Sequence, residues 1–219
     1  MNTVNGKEVA CMEKPMYHKG ITREQIVDTA SRLIEEQGMA RFSMHLLAET
    51  LGIRTPSLYK HIGSLDELIT EVGLQALERQ RDAQLKAMEG LNGDEAVFAM
   101  ADAYRRFALD NPEAYRTILA MMSANETLAR AAKMITEPVM LALSQYDLTE
   151  YQRGHWQRVL RSFMHGFIAH EEAGFFVHFN QEKELTYQMG IRCFLDGMKA
   201  EISRSSCTGS QQGAEEQMQ

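Results

Sequence analysis

Proline, cysteine and long apolar runs are scarce in this 219-residue chain. Four prolines among abundant Ala, Leu, Glu, Gln, Met and Arg leave little to interrupt a helix, and no stretch alternates apolar and polar residues as a half-buried strand would. The three cysteines, Cys11, Cys193 and Cys207, stand far apart with no Cys-x-x-Cys pair. That argues against a disulfide framework or a cysteine cluster and reads as free thiols in a reducing cytosol. No run of about 18 apolar residues is present to span a bilayer. The opening residues, "MNTVNGKEVACMEK", contain no apolar stretch fit for a signal peptide, so the expectation is a cytoplasmic protein. A Gly-rich phosphate loop and a nucleophile elbow are also missing, which removes two common enzyme classes. The net charge of −7 speaks against a protein that coats nucleic acid non-specifically, yet it permits a local basic face.

What remains is an ordinary globular balance, 44% hydrophobic and 24% charged. Residues 1–20 are polar and aperiodic and read as a flexible tail. Residues 203–219, "SRSSCTGSQQGAEEQMQ", have the composition of a disordered tail. Between them the patterns are helical throughout, giving an all-α chain of about nine helices. The first, about 22–37, opens with a Thr22/Gln25 capping box and an Ile21/Ile26 staple, and Gly38 ends it as a left-handed residue. The second opens at Ser43, stapled by Phe42 and Leu47, and stops at Gly52. Thr55 caps the third, with Pro56 at its first position. Ser64 and Glu67 form another box, opening a long helix to about Met88. "GLNGD" (90–94) breaks the chain. Further helices follow at 94–110, 112–122 (capped by Asn111), 126–146, 149–173 (boxed by Thr149 and Gln152) and 181–202.

The short third helix, in "TPSLYKHIGSLDEL", raises a functional question. A helix, a glycine turn and a second helix opening Thr-Pro make the helix-turn-helix pattern, whose second helix enters the major groove. On a wheel of about 100° per residue, Leu58 and Ile62 mark the buried side. Pro56, Ser57 and Lys60 then face outward, with Tyr59 and His61 on the flanks. From Met39 to Ile62 three bases (Arg41, Arg54, Lys60) stand against one acid (Glu49), a positive patch in an acidic chain. Lys60 and Arg54 suit phosphates or guanine edges; the hydroxyls of Tyr59, Ser43 and Thr55 suit phosphate oxygens. Backbone N–H groups where helices open at Ser43 and Ser64 are natural phosphate donors. Spacing alone fits equally well a tight helical corner with a semi-buried Tyr and His.

Residues 21–69, above all "ITREQIVDTASRLIEEQG", "SMHLLAETLGI" and "TPSLYKHIGSLDELI", resemble the N-terminal DNA-binding domain of the TetR family of transcriptional regulators. The resemblance implies a DNA-binding domain at 21–69 (helix-turn-helix about 43–62) and a ligand-binding and dimerisation domain at 70–202. It implies a homodimer on a palindromic operator, most simply a ligand-responsive repressor and not an enzyme. The DNA-contacting set it implies is Arg41, Ser43, Arg54, Thr55, Pro56, Ser57, Tyr59, Lys60, His61 and Ser64. Two positions depart from the family pattern: Ile62 replaces a Phe, and Leu65 replaces a Lys that would contact phosphate. "RSFMHGFIAHEEAGFF", Arg161 to Phe176, resembles a family branch with a His-Gly pair in its penultimate helix.

In this family the last two helices pair into a four-helix dimer interface. Leu185, Met189, Phe194, Leu195, Met198 and Ile202 give the last helix a broad apolar stripe compatible with that. Gly166, costing about 1 kcal/mol relative to Ala within a helix, is explained by a close helix crossing, within or between subunits. An effector cavity is expected among Tyr104, Phe107, Tyr115, Met121, Met122, Met134, Phe163, Met164 and Phe167, a lining suited to a small apolar ligand. Pro138 removes a helical hydrogen bond and is expected to kink its helix beside that cavity. Two rivals remain on the residues alone. One is a helical adaptor whose helix-turn-helix binds protein. The other is a metal enzyme built on His165, His170, Glu171 and Glu172, but His165 and His170 are five apart and cannot share a metal as an i, i+4 pair does. No cofactor and no metal are expected.

Overall fold

Helix α1 (Arg23–Gln37) starts where Thr22 closes its capping box: the Thr22 hydroxyl accepts from the Gln25 N–H at 3.2 Å, and the Gln25 side chain accepts from the Thr22 N–H at 3.0 Å. The computed structural model describes residues 20–121, 125–177 and 181–216, by backbone alone at 125–130 and 205–216. Gly38 ends α1 with its N–H on the Ile34 carbonyl at 2.8 Å. Its φ is positive as expected, but with φ 81° and ψ 151° it turns extended rather than left-handed helical. After a single 3-10 turn (Met39–Arg41) come α2 (Met44–Thr50) and α3 (Thr55–Leu58). One buried cluster joins these helices to the next: Ile26, Ala30, Leu33 and Ile34 from α1, Leu47 and Ala48 from α2, then Leu58, Ile62, Leu68 and Val72. Ile62 is fully buried, so the residue that departs from the family pattern still plugs this core.

Helix α4 (Leu65–Ala87) is 23 residues long and connects three buried clusters. Leu68 and Val72 belong to the head cluster, Leu74, Ala76 and Leu77 to a second with α6 and α7, and Met88 beyond its end to a third. Helices α5 (Gly93–Asp110), α6 (Pro112–Met121), α7 (Asn125–Leu143), α8 (Glu150–Glu172) and α9 (Lys183–Glu216) complete the all-α architecture, and no strand occurs among the described residues. The Thr149/Gln152 box opens α8 as expected. Asn111 does not cap α6. Its amide donates to the Phe107 carbonyl at 3.1 Å and its oxygen accepts from Arg79 at 3.0 Å, while the Ala114 N–H of α6 reaches Glu35 of α1 at 2.9 Å.

Helix α9 departs most from expectation. It passes through the Ser/Gly/Gln-rich stretch to Glu216, where composition predicts disorder from 203 onward; only 217–219 lie outside the described residues. A helix already nucleated adds one hydrogen bond for each residue it fixes, so it extends without a second nucleation cost. The expected apolar stripe also splits in two. Tyr187, Ile191, Phe194, Leu195 and Met198 turn inward, while Leu185 and Met189 stay exposed on the opposite side. Helix α7 continues through the buried Pro138 without interruption, ending at Leu143 rather than 146. Cys193 is a free, exposed thiol; Cys11 lies outside the described residues and the side chain of Cys207 is not among them.

Within one chain the close helix crossing falls at Gly190, not Gly166. A Cβ at Gly190 would come within 2.0 Å of the Phe163 ring, which stacks on Tyr187 with centroids 5.6 Å apart, whereas Gly166 has nothing within 4 Å. Gly190→Ala therefore forces Phe163 out of its stack and is expected to destabilise by about 1–3 kcal/mol in urea unfolding. Gly166→Ala removes only a flexible residue from a helix and is expected to show no such loss. Equal effects at the two positions would contradict this packing.

Candidate nucleic-acid interface and effector cavity

A helix of one turn cannot hold its own shape, so the geometry of α3 depends on what grips it. Leu58 and Ile62 grip from within, both fully buried. From outside, Arg23 of α1 donates to the His61 carbonyl at 2.8 Å and to the Glu67 carboxylate of α4 at 2.6 Å. Glu67 also accepts from the Gly63 N–H at 2.7 Å. The reciprocal half of the expected Ser64/Glu67 box is thus diverted. Ser64 caps the Glu67 N–H at 3.0 Å, but the Glu67 carboxylate serves the turn and α1 instead. Thr55 is not the cap of α3 either: Arg54 takes the N-cap position with no side-chain bond, and the Ser57 N–H reaches its carbonyl at 2.8 Å.

The polar residues expected at DNA sit on the outer side of this assembly. Arg41, Ser43, Arg54, Pro56, Tyr59, Lys60 and Ser64 are exposed; Thr55, Ser57 and His61 are half-buried. Arg41, Arg54 and Lys60 have no ion-pair partner among the described residues, which leaves three cations free for phosphates. Ser43 caps the Leu46 N–H at 3.1 Å, so its hydroxyl proton remains free to donate. Leu65, in place of the family's Lys, is 40% exposed and offers no charge.

A cavity of about 290 Å³ lies between the middle of α4 and helices α5, α6, α7 and α8. Of the nine residues expected to line it, Tyr104, Tyr115, Met134 and Met164 do so. Phe107 and Met121 pack instead with α4 and α6, and Phe163 and Phe167 pack against Tyr187; Met122 lies outside the described residues. The rest of the wall differs in character from the expected apolar lining. Gln80, Gln84, Arg158, Arg161, Ser162 and His165 join Leu77, Ile118, Ile135 and Val139. A hydrogen-bonded chain crosses it, from Tyr104 to Tyr115 between hydroxyls at 3.0 Å and from Tyr115 to the His165 Nδ1 at 2.6 Å. Burial and the neighbouring Tyr104 push the Tyr115 phenol far above its ordinary pKa, so it stays protonated. Arg158 and Arg161 were legible as a pair one turn apart on α8, but nothing in one sequence tells which face of α8 looks into a void.

The residues of the rival metal reading are used otherwise. Glu171 takes a two-pronged contact from Arg105 at 2.9 and 3.0 Å, His165 bonds Tyr115, and His170 rests edge-on against Phe175. Among the described residues no group of three His, Cys, Asp or Glu could hold a metal ion, and no helix is long and apolar enough to cross a membrane.

Hydrogen bonds from Arg23, and then from the Gly63 N–H, hold the Glu67 carboxyl below the usual glutamate range. A depressed folded pKa stabilises fully above the ordinary range and loses that stabilisation as pH falls through the depressed value. The stability gap between wild type and Glu67→Gln is therefore expected to be constant near neutrality and to close below about pH 4. Urea unfolding at a series of pH values measures it; a gap indifferent to pH would mean the clamp contributes nothing through its charge.

Comparison with known proteins identifies both halves of the chain. The model of bacterial regulatory proteins of the tetR family matches residues 26–72, and that of the tetracyclin repressor-like C-terminal domain matches residues 97–194. The uncharacterized HTH-type transcriptional regulator YobS of Bacillus subtilis is 28% identical over 183 residues, covering 82% of this chain and 93% of its own length. A protein of unknown function from Rhodococcus sp. RHA1 shares the fold with a TM-score of 0.68 at 20% identity, over 84% of this chain and 98% of that one. So does the Streptomyces coelicolor TetR family protein ActR in complex with (S)-DNPA, with a TM-score of 0.60 at 18% identity, over 83% and 98%. With a gripped reading helix, free cations on its outer side and both characteristic domains in sequence, this chain belongs to the TetR family of DNA-binding transcriptional regulators.

Proposed function

We propose that the protein is a ligand-responsive repressor that binds a palindromic operator as a homodimer in the cytoplasm and acts by binding, not catalysis. The observation that carries this reading is α4, which holds the reading head at one end with Glu67 and lines the cavity in its middle with Leu77, Gln80 and Gln84. Pro56, Ser57, Tyr59, Lys60 and His61 address the groove, while Arg41, Ser43, Arg54, Thr55 and Ser64 address phosphates. Two copies present two heads to two half-sites, which doubles a small contact surface. Exposed apolar residues on α8 (Tyr151, Val159) and α9 (Leu185, Met189) support pairing of these helices between subunits.

The effector acts by preferring a conformation whose heads are wrongly spaced, and its differential affinity sets the size of the response. Two routes lead from cavity to head. One is α4 itself. The other is α6, whose start is tied to α1 through Glu35 and whose Glu113 accepts from the Met39 N–H at 3.2 Å. ActR, which shares this fold, forms a complex with (S)-DNPA, which supports a ligand for this chain.

The test is binding to the DNA upstream of the protein's own gene across a salt series. Specific binding is expected to weaken steeply with salt, and Lys60→Ala is expected to make the slope shallower by about 1 per half-site. Tyr59→Ala/Lys60→Ala is expected to abolish specific binding while leaving the unfolding midpoint unchanged. Salt-insensitive binding, or binding indifferent to both substitutions, would move the interface away from α3 and favour a protein partner.

A further inference from the structure

Among the described residues the cavity wall contains two arginines and no carboxylate. Arg158 and Arg161 both edge it, and neither has an ion-pair partner among the described residues. Arg161 is half-buried, and its only protein hydrogen bond among the described residues runs from one guanidinium nitrogen to the Gln157 oxygen at 3.3 Å. Burial lowers its pKa, with only the Tyr104 hydroxyl opposing. A desolvated cation without a countercharge costs stability, and proteins rarely retain one without use. Gln80, on the α4 side, adds a second signal. It is 3% exposed, lines the same cavity, and its Nε2 donor has no hydrogen-bond partner among the described residues. Gln84 beside it spends its own amide on the Met100 sulfur at 3.1 Å and does not relieve Gln80. Water can accept the Gln80 proton, but it supplies no countercharge to Arg161.

Resting on the effector-cavity reading above, we infer that the cavity takes an amphipathic organic acid. Its carboxylate pairs with Arg161 and accepts from the Gln80 amide, and its apolar body lies along Leu77, Ile118, Met134, Ile135, Val139 and Met164. Both groups are donors, and their natural joint partner is an acceptor with negative charge. A basic effector finds no acid in this wall, and a purely apolar one leaves Arg161 unpaired. The anion also draws α8, through Arg161, toward α4, through Gln80. It therefore acts directly on the helix that holds Glu67 and the reading head.

The first experiment needs no ligand. Arg161→Met removes an uncompensated charge from the empty protein and is expected to raise the melting temperature by about 2–4 °C. An arginine kept for packing would instead lower it, and that result would overturn the assignment. The second is calorimetric titration of wild type, Arg161→Met and Gln80→Leu with matched probes: decanoate against decanol, and 2-naphthoate against 2-naphthylmethanol. An acid is expected to bind wild type at least about 10-fold more tightly than its alcohol, and Arg161→Met is expected to erase that preference. Gln80→Leu is expected to weaken the acid and spare the alcohol. Alcohols binding as tightly as acids would overturn the anion assignment and leave the cavity as an effector site. Selective acid binding that leaves operator affinity unchanged would uphold the assignment and overturn the ligand-responsive reading instead.

Discussion

A reading helix of a single turn has to be held by its surroundings, and the remainder of this molecule can be understood from that constraint. Nucleating a helix fixes several dihedrals for one hydrogen bond, so α3 has almost no stability of its own. Leu58 and Ile62 tie it to a core drawn from α1, α2 and α4, and the Arg23–Glu67 clamp ties the turn that follows it. Because these holds act on the inner side and on the backbone, the outer side of α3 is free to be polar. The same holds make the head's position a property of α1 and α4.

Helix α4 is therefore shared between two tasks. Its first turns belong to the head core, its middle to the cavity, and its end to the core built by α5, α7, α8 and α9. A continuous helix packed on several sides transmits a displacement along its length, so a shift imposed at Gln80 is felt at Glu67. Helix α6 offers a parallel connection, since Tyr115 and Ile118 line the cavity while Glu113 and Ala114 exchange hydrogen bonds with the end of α1. The polar chain Tyr104–Tyr115–His165 ties α5, α6 and α8 together, leaving α4 as the side that a ligand held by Arg161 can draw toward them.

Much of the head was legible because its signals are local. Capping at Thr22, burial of Leu58 and Ile62, and exposure of Lys60 follow from spacings of three and four residues on one helix. Local reading failed where a side chain had two competing partners. Glu67 has the spacing of a capping box, yet a nearby guanidinium and a free turn N–H outcompete the Ser64 N–H for it. Asn111 likewise serves α5 and Arg79, and Glu35, 79 residues distant, takes over at the start of α6. Gly166 and Gly190 look alike in the chain, and only the position of Phe163 separates them.

Residue order by itself determined the helical class, the element boundaries to within a few residues except at the end of α9, and the extra length of α4. Each of these depends on periodicity and capping, which are properties of neighbours in sequence. The tertiary structure decided that α9 presents two apolar sides, that Phe107 is core and Phe163 packs half-buried on Tyr187, and that the cavity is edged by Arg158, Arg161 and Gln80. A void is the space that packed helices fail to fill, so its lining depends on the relative rotation of five helices. No single helix encodes that rotation.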